Sequence, residues 1–124
     1  MKNLPVVIAS ICTVIGIAPA NAKVRSWDCQ FEYRIDEERR TAERMLLVFG
    51  IDTITGRAFM EGNLGLVDVD VHVGDSAFSF LEKPASGIVQ STTVTGRGLA
   101  VHSRNSVIFG EIVAAQHFGR CVPS

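Results

Sequence analysis

Apolar and polar residues alternate along much of this chain, and period-two alternation marks a half-buried β-strand. Trp27, Cys29, Phe31 and Tyr33 share one parity, with Asp28, Gln30, Glu32 and Arg34 on the other. Val67, Val69, Val71 and Val73 alternate in the same way with Asp68, Asp70 and His72. The valine stripe is expected to face the core and the polar stripe water, because a one-residue slip would bury two carboxylates. Residues 45–54, 57–61, 77–82, 88–95, 99–103 and 107–114 read as further strands, and residues 116–121 as a last short one. Turn signals separate them at Thr55-Gly56, Gly62-Asn63, Gly74-Asp75, the 83–87 loop, Gly96-Arg97-Gly98 and Arg104-Asn105-Ser106. The charged stretch 36–44, which opens with Asp36-Glu37-Glu38-Arg39-Arg40, reads as a solvated loop.

No segment sustains a helical period. About eight short strands with brief connections give an all-β fold, a small antiparallel β-barrel or sandwich. Closure would remove the exposed edges. The phenylalanines, Trp27 and many Val, Ile and Leu residues should fill a barrel of this size. A lipocalin-like cargo cavity is therefore not expected. Short alternating segments without aromatic girdles also speak against an outer-membrane barrel.

The first residues break the pattern. Lys2 precedes an almost wholly apolar run from residue 4 to 17, and Ala20-Asn21-Ala22 follows with small residues at both ends. That order is the one found in a cleavable secretory signal. The apolar run is too short to span a bilayer, which takes about 20 residues. Ile11 before Cys12 lacks the small residues of a lipidation site. The expected division is a signal peptide at 1–22 and a single β-rich domain at 23–124, exported to the periplasm or secreted, with no stable membrane insertion once the signal is cleaved.

Removing residues 1–22 takes away one of twelve basic residues and none of the thirteen acidic ones, leaving a net charge of −2 with histidines neutral. Scattered, near-balanced charge makes nucleic acid an unexpected partner. Two cysteines remain, Cys29 and Cys121, one near each end of the domain. In an exported chain such a pair reads as a disulfide, here tying the first strand to the last.

Candidate chemistry is sparse. Gly74-Asp75-Ser76 lacks the nucleophile elbow of a serine hydrolase and is explained as a hairpin turn. Asp68, Asp70 and His72 sit roughly 6.5–7 Å apart along one strand face, too spread for metal binding without further ligands. The densest polar group is Ala100-Val101-His102-Ser103-Arg104-Asn105-Ser106. His102 and Arg104 share a strand parity, and the Arg104 fork suits a carboxylate, so these two are the binding candidates. Gln116-His117-Phe118-Gly119-Arg120-Cys121 is a second polar group, otherwise a tail pinned by the disulfide with Phe118 packed inward. No catalytic or metal-ligating set and no cofactor is assigned.

The layout of an exported small barrel with a cysteine near each end is similar to that of bacterial lysozyme-inhibitor barrels. Their Ser-Gly-x-x-Tyr loop is absent: Ser86-Gly87 is followed by Ile88-Val89-Gln90, and Tyr33 is the sole tyrosine. No residue role carries over. The expected function is a non-enzymatic binding module of the cell envelope or exterior that recognises a protein partner. The alternatives are a small hydrolase or metal-dependent enzyme using His72 or His102, and a small-ligand carrier.

Overall fold

Eight antiparallel strands follow one another around a closed barrel in a computed structural model that describes residues 24–124. The signal segment expected at 1–22 lies outside the described residues. The strands are β1 (Val24–Asp36), β2 (Arg39–Asp52), β3 (Ala58–Gly62), β4 (Gly65–Val73), β5 (Ala77–Glu82), β6 (Gln90–Thr95), β7 (Leu99–Ile108) and β8 (Glu111–Pro123). Each pairs with its sequence neighbours, and β8 returns to pair with β1. The fold is thus a barrel and not a sandwich, and no strand is left at an open edge along its full length.

Cys29 stands directly opposite Cys121 in the β1–β8 ladder, and the two form a disulfide with a Cα–Cα distance of 4.0 Å across 92 residues of sequence. Directly opposed antiparallel residues come this close only in the non-hydrogen-bonded register. The bond locks the seam at which the barrel closes. Disulfides of this structural kind persist in oxidising compartments outside the cytosol.

The middle of the barrel is filled by rings. Phe49 stacks on Phe80 with centroids 4.3 Å apart, and Phe78 meets Phe80 edge-on at 5.6 Å. Trp27 lies over both, at 5.1 Å from Phe78 and 6.0 Å from Phe80. Phe31 completes the plug. Aromatic pairs at these separations add to the burial that drives folding. In β4, Val69 is buried, Val67 and Val71 are half-buried, and Asp68, Asp70 and His72 are exposed, as the alternation requires. Val73, the last residue of the strand, is exposed.

Three segments differ from the sequence reading. Residues 36–44 are not a loop: β1 and β2 continue to a tight turn at Glu37 and Glu38, whose φ angles are 46° and 67°. Both central residues must be left-handed in a two-residue hairpin of this hand. The hairpin is pinned by Arg40 over the Tyr33 ring at 3.8 Å and by Arg34 between Asp36 (3.0 Å) and Glu43 (2.5 Å). Arg104-Asn105-Ser106 is not a turn but part of β7, and the chain reverses instead at Phe109 and Gly110. Phe118 does not pack inward; it stacks on Tyr33 at 5.2 Å, on the face opposite to buried His117.

The barrel is lopsided. β1, β2, β7 and β8 have 13, 14, 10 and 13 residues, whereas β3, β5 and β6 have 5, 6 and 6. At the end carrying the 37–38, 63–64, 83–89 and 109–110 connections, the long strands outrun the short ones. Their inner faces there form the wall of a half-open mouth.

Candidate functional site

The mouth is built on a bulge. The β1 register slips by one residue between Phe31 and Tyr33 against both neighbouring strands. A bulge of this kind re-aims every side chain that follows it. Before it, Cys29 and Phe31 face inward; after it, Arg34 takes the inner face and Tyr33 the outer one. Gly119 lies opposite Phe31, where a Cβ would run into the Gln30 carbonyl oxygen and the Phe31 Cα, so only glycine permits the close approach.

Successive cross-strand pairs then set a polar row inside the barrel: Arg34 opposite His117, His117 opposite His102, His102 opposite Thr92. His102 and His117 are 3 % and 1 % exposed, and their ring centroids lie 6.0 Å apart. His102 is fully bonded. Its Nε2 lies 3.2 Å from Gln90 Oε1 and its Nδ1 2.6 Å from Thr92 Oγ1. The Gln90 oxygen only accepts, so Nε2 donates to it and the Thr92 hydroxyl donates to Nδ1. Burial, then the neighbouring His117 and Arg104, pull the His102 pKa down to about 4. The ring is neutral at neutral pH.

His117 is the opposite case. Both its ring nitrogens are buried and neither has a hydrogen-bond partner. Burial lowers its pKa, opposed by Glu43 and then reinforced by Arg104 and Arg34. An imidazole with two buried nitrogens and no protein partner is expensive unless something else satisfies it.

Arg104 continues the inner face of β7, half-buried at the mouth. Among the described residues its side chain has no ion pair or hydrogen bond. It lines two adjoining lobes. One, of about 270 Å³, is walled by Met45, Met60, Val67, Glu82, Gln90 and His102. The other, of about 400 Å³, is walled by Glu43, Arg44, Met45, Asn63 and His117. The binding candidates His102 and Arg104 are thus brought together, but His102 sits inside the barrel beneath the cleft and not on its outer surface.

Beyond Arg104, β7 loses its partner β6, and before Ala115 β8 has no partner in β1. Residues 105–114 pair only with each other, as a two-stranded arm projecting from the mouth. Val107, Ile108, Phe109 and Ile112 on this arm are 56 %, 50 %, 100 % and 74 % exposed. Phe109 also holds a φ of 52°, a conformation that bulky residues avoid.

The other sequence candidates lie elsewhere. Asp70 pairs with Lys83 at 2.6 Å and Asp68 with Arg57 at 3.5 Å on the outer face. Gly74 closes the β4–β5 turn on the Ala77 carbonyl at 2.9 Å. Within residues 116–121, Gln116 and Arg120 point outward, donating to Ser103 Oγ and the Arg97 carbonyl, each at 3.2 Å. Only His117 of that group enters the site. Arg34 and Glu43 are the members the sequence reading missed. No protein family model, no curated protein and no solved structure matches the chain, so the site stands on its geometry alone.

Proposed function

We propose that the chain is an exported, non-enzymatic binding module of the periplasm or exterior, which holds a protein partner at the mouth end of the barrel. The observation that carries this reading is the 105–114 arm. An isolated two-stranded ribbon is marginal in water. This one spends its length on exposed apolar side chains and ends on a fully exposed phenylalanine in a left-handed conformation. A residue placed against both its solvent and its backbone preference points to use rather than to folding. Aromatic side chains, phenylalanine among them, are enriched at the cores of protein interfaces. Glu111 is the arm's one charged residue, which disfavours an anionic bilayer or a nucleic acid as the occupant. The adjoining Arg104 supplies a planar fork at the rim of the same end.

The test is cross-linking in an envelope extract with the purified mature domain and its Phe109→Asn variant. Capture of one defined protein by the wild type, lost in the variant while its melting curve is retained, supports the reading. Equal capture by both overturns it.

A further inference from the structure

We infer that the mouth cleft is a carboxylate-binding site, taking a carboxylate carried on an apolar body. Three observations converge. His117 offers two buried, unpartnered ring nitrogens to the cleft. Arg104 and Arg44 line the same lobe, and among the described residues neither has an ion pair. Met45 and Met60 line the apolar side of the mouth, and unbranched thioether side chains adapt to varied aliphatic shapes.

The chemistry of these groups selects the ligand. A guanidinium presents parallel N–H donors that match the two oxygens of a carboxylate. A neutral imidazole has one N–H to add, and burial keeps His117 in that form at neutral pH. Two carboxylates of the chain border the cleft and do not fill the role. Glu43 is held by Arg34 at 2.5 Å, and Glu82 lines the other lobe. A ligand carboxylate between Arg104 and His117 would accept the N–H of the one ring that folding leaves without a partner. The two lobes are of a size suited to a ligand of a few carbons beyond the carboxylate, at the small end of known ligand sites.

The carboxylate has two natural sources, a free acid or the C-terminus of a peptide, and the inference does not depend on the arm. The experiment is calorimetric titration of the folded domain with hexanoate, hexanamide, and a short peptide with an apolar last residue, free or amidated at its C-terminus. Nitrogen-detected NMR of the His117 ring accompanies it, so the wild type reports on His117 without mutation. Saturable binding of hexanoate or of the free peptide is expected. The amide forms should bind at least about tenfold more weakly, as should Arg104→Gln with the acid. The His117 ring signals should shift on saturation. Binding of the peptide alone would place the site within a protein interface, and of hexanoate alone would make it a small-acid site. Asp75→Asn, in the β4–β5 turn at the far end of the barrel and outside both lobes, should leave the titration unchanged. Equal binding of acid and amide, no binding of either acid, or an unmoved His117 ring would overturn the inference.

Discussion

His117 stands opposite His102 across the β7–β8 ladder, with ring centroids 6.0 Å apart, and the two buried rings are bonded in opposite ways. His102 is locked between Thr92 and Gln90, whereas His117 has no partner at either nitrogen. One ring belongs to the barrel's internal bonding. The other faces the cleft with its bonding capacity unused. This asymmetry separates what the fold consumes from what it leaves for a ligand.

Acid should destabilise the domain through both rings. Each is held neutral in the folded state below its ordinary pKa, while in the unfolded chain each gains its proton near pH 6.5. Above that pH neither state binds the proton, so the rings contribute no pH dependence. Below it the unfolded state binds more protons, and stability falls as pH drops from 6.5 towards the His102 value of about 4. For His102 alone the loss across that window is about 3 kcal/mol. Arg34 and Arg104 work in the same direction on His117, and Glu43 and Asp36 against it. Urea midpoints measured across this range should fall with pH, and His102→Gln should flatten much of the slope. A flat wild-type profile would contradict the burial of the pair.

Removing the disulfide should weaken the barrel without changing its register. The bond closes a 92-residue separation, for which chain entropy gives about 4–5 kcal/mol. The double variant Cys29→Ala/Cys121→Ala should show that loss in guanidinium unfolding and retain a β-type circular dichroism spectrum where it folds. Thiol labelling of the oxidised wild type should detect neither Cys29 nor Cys121.

Phe80 is the joint between the aromatic layers, stacked on Phe49 and touched by Trp27 and Phe78. Phe80→Ala should lower stability by about 3–5 kcal/mol, the range for an emptied aromatic site. Asp70→Asn, which breaks only an exposed pair with Lys83, should move it by less than about 1 kcal/mol. Denaturant midpoints of the two variants should separate accordingly.

The barrel was legible in the sequence wherever one face of a strand is dry. Val67, Val69 and Val71 alternate because the opposite face is wet, and that contrast is what a sequence displays. It failed at Arg34, because the bulge after Phe31 exchanges the two faces and leaves no mark in composition. It failed again over residues 36–44, where the projecting hairpin is solvated on both sides and turns on Glu37 and Glu38 instead of Asn-Gly. Arg104-Asn105-Ser106 resembles a turn more than Phe109-Gly110 does, so composition divides one strand and hides the true reversal. His102 was found by the density of polar residues around it, yet its bonding depends on a register that no single segment reveals. His117 had a usable signal: it lies four residues before Cys121, on the same strand parity, and a disulfide inside the barrel turns that whole face inward.

Phe109 should be a residue whose replacement makes the domain more stable. Its φ of 52° places Cβ against the following carbonyl, a conflict that roughly 1–2 kcal/mol measures for an ordinary side chain. Its ring is fully exposed and so gains little from burial in the free domain. Asparagine tolerates the left-handed region and carries a polar side chain suited to the exposed first position of such a turn. Gly110, at φ 81°, completes the turn in open space, so the backbone geometry and not a clash sets its identity. Phe109→Asn should therefore raise the unfolding free energy by up to about 1 kcal/mol, and Gly110→Val should lower it by at least that much. Paired urea titrations measure both. A stabilised Phe109→Asn domain that no longer cross-links its partner would show that the phenylalanine is kept for contact at the expense of folding. A destabilised one would mean that the ring packs on the arm in solution, and the case for a docking knob would fall.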